Sequence, residues 1–115
     1  MTGERAIAAI RGYHAHVYYD DGSRERAAWL RDALAARFAV EIGRWHDRPV
    51  GPHPGPSYQV AFPPALFGEI VPWLALNRGG LVVLVHPDTG DPVPDHQDHT
   101  LWLGAKLDLD LDALR

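Results

Sequence analysis

Cysteine is absent from the sequence, so disulfides and thiolate metal sites are excluded. An excess of positive charge is missing too: the formal net charge is -4 with neutral histidines, which argues against binding a phosphate backbone. No apolar run approaches the roughly 20 residues of a membrane span, and the N-terminal stretch MTGERAIAAIRG is too short in apolar residues for a signal peptide. These absences favour a cytoplasmic protein that binds neither nucleic acid nor membrane.

Several common catalytic motifs are missing as well, namely G-x-S-x-G, the P-loop, the Rossmann glycine pattern and H-E-x-x-H. Histidine, in contrast, is abundant: there are 7, against 4 tryptophans and 3 phenylalanines. Without cysteine, a bound metal must use imidazole, carboxylate, carbonyl or water ligands, which suit iron, zinc, copper or manganese. The functional hypotheses therefore depend on where the fold places the histidines.

The order of predicted elements indicates an α+β fold in one domain over residues 1–115. Alternating or continuous apolar residues predict four strands, and apolar residues at helical spacing predict two helices. The strands cover residues 12–19, 39–45, 57–62 and 81–85, and the helices cover 24–38 and 63–77. This βαββαβ order is the ferredoxin-like pattern, an antiparallel sheet with strand order 4-1-3-2 and both helices on one face.

The other face of such a sheet needs a cover. The proline-rich loop over residues 46–56, the C-terminal tail after His86 and a second subunit are all available, and we expect the tail to lie over this face. Near its end, LDLDLD (107–112) alternates with period two, which suggests an edge strand or a subunit contact, although Asp is a poor strand residue.

His14 and His16 form the first candidate site. Residues i and i+2 of a strand project from the same face, about 7 Å apart along the chain, so two imidazoles can converge on one ion. For an isolated His-x-His, a half-exposed polar pair is the more frequent explanation. The predicted topology changes this balance, because the end of the fourth strand meets the start of the first. His86 then lies near His14, and three imidazoles could form a facial ligand set.

His53 is the second candidate. In the segment GPHP, Pro52 and Pro54 restrict the backbone, so the imidazole is held in a fixed direction, as a catalytic group requires. A rigid turn with an incidental histidine is an equally good interpretation. His46, at the start of the same loop, is expected to be structural or solvated.

The third candidate is DHQDH, residues 95–99. On a helical turn His96 and His99 would share a face, and Asp95 or Asp98 could orient an imidazole for proton transfer or metal binding. Taken alone, this string is more often a solvated loop. A site of two histidines and one of these carboxylates, as in many non-haem iron enzymes, is a further alternative.

Four segments together resemble the DOPA 4,5-dioxygenase family of small proteins. They are YHAHVYY, GRWHDRPVGPHPGPSYQVAF, PWLALNRGGLVVLVHPDTGD and DHQDHTLWLG, and they span residues 13–104. The resemblance implies a ferredoxin-like fold, a homodimer, and extradiol cleavage of a catechol ring, that of DOPA or a related compound, with ferrous iron and O₂. The family's histidine motifs fall on His14, His16, His53, His86, His96 and His99.

The resemblance does not divide these histidines between metal binding and proton transfer, but together with the predicted topology it leads us to expect His14, His16 and His86 to bind Fe(II), with zinc or another divalent metal possible in the isolated protein. His53 and His99 are then the acid–base candidates, with His96 in reserve. The alternative is a non-catalytic ferredoxin-like dimer that binds a small molecule or a structural metal.

Overall fold

The alternating segment GYHAHVY forms the first strand, β1 (Gly12–Tyr18), and gives it two unlike faces. The computed structural model describes residues 3–115. Ala15 and Val17 are 0% exposed and belong to the apolar core. His14 and His16 point to the opposite face, because side chains alternate across a strand. The prediction that His14 and His16 share one face of this strand is confirmed.

The remaining strands and α-helices follow the predicted order, with one short helix and one short strand added after the last predicted strand. They are α1 (Arg24–Arg37), β2 (Glu41–Ile42), β3 (Ser57–Phe62), α2 (Phe67–Asn77), β4 (Val83–Asp88), α3 (Pro92–Gln97) and β5 (Leu101–Leu103). The sheet order is β2-β3-β1-β4-β5, with antiparallel neighbours throughout. The α+β, ferredoxin-like prediction is confirmed, and β5 extends the sheet beyond β4.

The register between β1 and β4 decides which histidines meet. His14 lies directly opposite His86, and the neighbouring pair is Ala15 opposite Val85. Directly opposed residues of an antiparallel pair project from the same face. The histidines of both strands therefore share one face, while the alanine and valine share the other.

The core lies between the sheet and the two long helices. Leu30 and Leu34 of α1, together with Ile70 and Leu74 of α2, are 0% exposed. They join the apolar residues of β1, β3 and β4 in one cluster. Complete burial of such a side chain contributes about 1.5–3 kcal/mol, so this layer supplies a large part of the folding free energy.

Two details of the prediction were wrong. The second strand is only Glu41–Ile42, although the backbone pairing continues through a Gly43 N–H···Gln59 O bond and an isolated bridge between His46 and Ser57. The Leu–Asp tail forms no strand; it ends instead in a 3-10 helix, Leu111–Leu114.

The tail packs back against the rest of the chain. The Asp110 side chain accepts a bond from the Asp112 N–H, and the Asp110 N–H donates to the Pro52 carbonyl at 2.9 Å. The tail therefore touches the proline-rich loop. Within residues 3–115, no helix is both long and apolar enough to span a membrane.

Candidate functional site

Three histidines of the sheet bring their ring nitrogens together. The ligand atoms of His14, His16 and His86 all lie within 4.8 Å of one another. His16 and His86 are 4% and 2% exposed, and their Nε2 atoms are 2.9 Å apart. Two imidazole nitrogens can lie this close only if one carries a proton, or if a cation takes the place of that proton. This group could hold a metal ion.

The environment keeps these imidazoles neutral. Burial lowers the pKa of His14, lowers that of His16 well below its ordinary value, and lowers that of His86 to about 4. Neighbouring histidines reinforce the effect at His16, because a second positive charge nearby is unfavourable. Neutral imidazole is the form that ligates metals.

The tautomer of His86 also suits a metal ligand. Its Nδ1 lies 2.8 Å from the Pro87 carbonyl oxygen, which can only accept, so Nδ1 carries the proton. The lone pair is thus on Nε2, the atom that faces His16. Metal-bound histidines usually make such a bond through their second nitrogen. The donor set of this site therefore fits a divalent transition metal such as iron or zinc.

His53 reaches the same cluster from the proline-rich loop. Its ring centroid is 4.2 Å from that of His16, and its Nδ1 is 2.6 Å from the Tyr18 hydroxyl. The loop is turned inward by a bond from the His53 N–H to the Val50 carbonyl. Burial lowers the pKa of His53 to about 4, and nearby histidines add to the shift.

His96 completes a group of five histidines. It is carried by α3, and its ring centroid lies 4.0 Å from that of His86 and 6.1 Å from that of His16. Its Nδ1 donates to the Pro92 carbonyl at 2.7 Å, which leaves a lone pair on Nε2. The segment after β4 therefore brings one of its two histidines to the cluster.

An open cleft of about 320 Å³ borders this group. It is lined by His14, His16, His46, His53 and His96, together with Gln59 and part of the proline-rich loop. His46 was expected to be structural or solvated; its backbone indeed bridges to Ser57, but the residue also lines the cleft. A cleft of this size accommodates a small ring.

His99 lies apart from the cluster. Its Nδ1 is 3.3 Å from the carboxylate of Asp95, which is 2% exposed and also accepts bonds from the Thr89 N–H and hydroxyl. Although burial opposes ionisation, these hydrogen bonds lower the pKa of Asp95. His99 lines a separate, mainly apolar cavity of about 260 Å³ beside Tyr13 and Leu101.

The carboxylates of DHQDH do not belong to the potential metal-binding group. Asp95 is engaged by Thr89 and His99, and Asp98 is exposed. Among the residues that the structure describes, the potential metal-binding group consists of histidines alone. The alternative of two histidines and one carboxylate therefore has no geometric support here.

Tyr18 also belongs to the site. It lies on the same face of β1 as His14 and His16, as the period of two along the strand predicts. Its ring stacks on Trp102 of β5 with centroids 6.2 Å apart. Its hydroxyl contacts His53, so it links the sheet to the loop.

Comparison with known proteins finds a matching protein family and two related sequences. A family model described as the Dopa 4,5-dioxygenase family matches residues 13–113. An uncharacterized 21.2 kDa protein of Botryotinia fuckeliana is 36% identical, over 94% of this chain and 66% of its own length. A protein of Amanita muscaria named DOPA 4,5-dioxygenase is 34% identical, over 91% of this chain and 50% of its own length. The present chain thus spans about two thirds and one half of these two relatives.

A solved structure is similar over almost its whole length. The crystal structure of a candidate dioxygenase from Nostoc punctiforme is 55% identical and superimposes with a TM-score of 0.96. The match covers 97% of each chain.

Proposed function

Since the chain belongs to the Dopa 4,5-dioxygenase family, we propose that it is a metal-dependent dioxygenase that opens the ring of a catechol with O₂. The observation that carries the proposal is the meeting of three neutral imidazoles beside a cleft with two further histidines. Such a ligand set leaves coordination positions for small molecules, as catalytic metal sites require.

Ferrous iron is the proposed metal, held by His14, His16 and His86. The donor set also suits zinc, which the isolated protein could carry instead. When bound, the cation would hold catechol and O₂ side by side and make a catechol hydroxyl more acidic, as cations do for bound water. Extradiol cleavage adds both oxygen atoms of O₂ to the ring carbons and needs no external reductant.

The remaining histidines are proposed to handle protons. His96 presents a lone pair at Nε2, because its Nδ1 proton is used by the Pro92 carbonyl, so it is suited to accept a proton from the substrate. His53 lies across the cleft from His96, and the centroids of the two rings are 6.4 Å apart. His99, expected as an acid–base residue, ranks below both because it faces a different cavity.

The substrate is proposed to be DOPA or a related catechol. The cleft volume of about 320 Å³ suits a single substituted ring. The name of the Amanita muscaria relative points to DOPA. A homodimer and a cytoplasmic location stay predictions from the sequence and its family resemblance.

The test is anaerobic loading with Fe(II), followed by L-DOPA or simple catechols and then air. We expect uptake of one O₂ for each catechol and a yellow ring-opened product. His14→Ala should lose both metal and turnover. If wild-type protein binds stoichiometric metal but turns over no catechol of the panel, the alternative of a non-catalytic, metal-binding dimer is favoured.

A further inference from the structure

The hydrogen bond between Tyr18 and His53 joins two buried side chains at the edge of the cleft. The Tyr18 hydroxyl and His53 Nδ1 are 2.6 Å apart, and the two residues are 6% and 8% exposed. The two residues come from different parts of the chain: Tyr18 lies on a central strand and His53 lies in the proline-rich loop. The bond therefore depends on the tertiary fold and ties the loop to the sheet.

The direction of this bond follows because the buried phenol O–H requires a hydrogen-bond acceptor. The His53 nitrogen is the hydrogen-bond partner that the described residues offer to the Tyr18 hydroxyl. If His53 donated instead, the phenolic proton would be left in a buried place without an acceptor, which is unfavourable. Tyr18 therefore donates, Nδ1 of His53 accepts, and the imidazole carries its own proton on Nε2.

The structure assigns Tyr18 a positioning role: it holds His53 as a hydrogen-bond donor that presents Nε2–H toward the cleft. This inference rests on the proposed function. It makes the two cleft histidines unlike, since the Pro92 carbonyl leaves a lone pair on Nε2 of His96. One imidazole is set to accept a proton from the substrate, and the other is set to donate to a developing oxygen anion.

One contact and one backbone restriction hold the donor in place. Trp102 stacks on the Tyr18 ring at an interplanar angle of 20°, which fixes the direction of the hydroxyl. On the other side, Pro52 and Pro54 limit the backbone of the loop. The arrangement is the reverse of a carboxylate- or carbonyl-oriented histidine, because the phenol donates to the ring and leaves the ring proton on the other nitrogen.

The first experiment reads the tautomer without any turnover. Protein labelled with ¹⁵N-histidine and loaded with diamagnetic Zn(II) is examined by long-range ¹H–¹⁵N correlation, with His53 assigned through His53→Gln. We expect an unprotonated, hydrogen-bonded Nδ1 in the wild type. In Tyr18→Phe the change in the Nδ1 chemical shift that this hydrogen bond causes should disappear. Tyr19→Phe is the matched control, because the adjacent Tyr19 hydroxyl donates to the Asp47 carboxylate and the His46 carbonyl.

The second experiment uses the Fe(II)-loaded enzyme and a catechol that the wild type turns over. Tyr18→Phe should lower kcat about 10- to 100-fold, less than the roughly 100- to 10,000-fold contribution of an acid–base group itself, because His53 is still present. The metal content of this variant should be unchanged. Its KM should change much less, because the bond acts on proton donation rather than on binding. Tyr19→Phe should keep the wild-type kcat and KM.

The outcomes separate the two proposals. A protonated Nδ1 at His53, or a His53 signal unaltered in Tyr18→Phe, overturns the assigned direction of the bond. Wild-type turnover with unchanged Tyr18→Phe kinetics overturns the positioning role alone. No turnover by the wild type with any catechol overturns the proposed function and the catalytic meaning of Tyr18, while the tautomer is still decided by the spectrum.

Discussion

The two faces of the sheet are built from the same strands but solve different problems. On one face Ala15, Val17 and Val85 are sealed under two helices with no exposed area. On the other face His14, His16 and His86 lie under a loop and a short helix that leave a cleft open. The first face stabilises the fold, and the second holds buried polar groups close together at a cost in folding free energy. Because successive side chains of a strand point to opposite faces, residues of the histidine face can change without changing the residues of the core.

The largest expected effect comes from removing a histidine of the metal group. His16→Ala deletes one of three candidate ligands, and turnover should fall by at least about 100-fold, more than the loss of an outer-shell partner. Metal content and O₂ uptake of protein loaded with Fe(II) provide the measurement. His99→Ala is the matched control. His99 lines another cavity, so this substitution should leave the metal content unchanged. Equal metal loss in both variants would contradict the proposed ligand set.

The opposite face should respond in stability. Leu30→Ala opens a cavity under α1, where Leu30 is 0% exposed, and should lower the free energy of unfolding by about 2–5 kcal/mol. Urea denaturation measures this difference. Folded Leu30→Ala protein should still bind the metal. A variant that is as stable as the wild type but inactive would break the division between the two faces.

Asp95 lies on the segment that covers the histidine face, and its loss should have an intermediate effect that depends on pH. Its folded pKa is lowered, so the ionised carboxylate stabilises the fold above the unfolded value of about 3.9, and this contribution is lost as pH falls through the folded pKa.

Asp95→Asn should therefore lower the free energy of unfolding by about 1–3 kcal/mol at neutral pH, and by less in acid. Denaturant melts of both proteins between neutral pH and the acid limit give the comparison. A difference that grows as the pH falls would have the wrong sign.

The smallest expected effect is that of Tyr19→Phe. Its hydroxyl donates to Asp47 and to the His46 carbonyl in two part-buried bonds, and removing it should cost about 0.5–1.5 kcal/mol. Thermal unfolding measures it. Comparison with Tyr18→Phe is informative because the two neighbours point to opposite faces. A larger activity loss in Tyr19→Phe than in Tyr18→Phe would reverse the assignment of the faces.

Much of the fold and part of the site follow from the sequence because their signals are local or topological. Alternation in β1 determines which residues share a face with His14, and the βαββαβ order brings β4 beside β1, so the approach of His86 could be predicted. Neither step requires knowledge of a loop conformation.

The rest depended on contacts that no local pattern records. The contact between His53 and Tyr18 arises from the path of an irregular loop between β2 and β3. The Leu–Asp tail has the period of a strand, but Asp is a poor strand residue and no neighbouring edge pairs with it. The three residues of β5 were too few to produce a periodic signal.

The opposition of His14 and His86 has a thermodynamic consequence. These residues are separated by 72 positions in the chain, yet they lie face to face in the sheet. Their nitrogens can converge only when β1 and β4 are paired, so a cation at this position would bind the folded chain far better than the unfolded one. Ligand binding and folding would then be linked equilibria, and the melting temperature would rise with the logarithm of the free metal concentration.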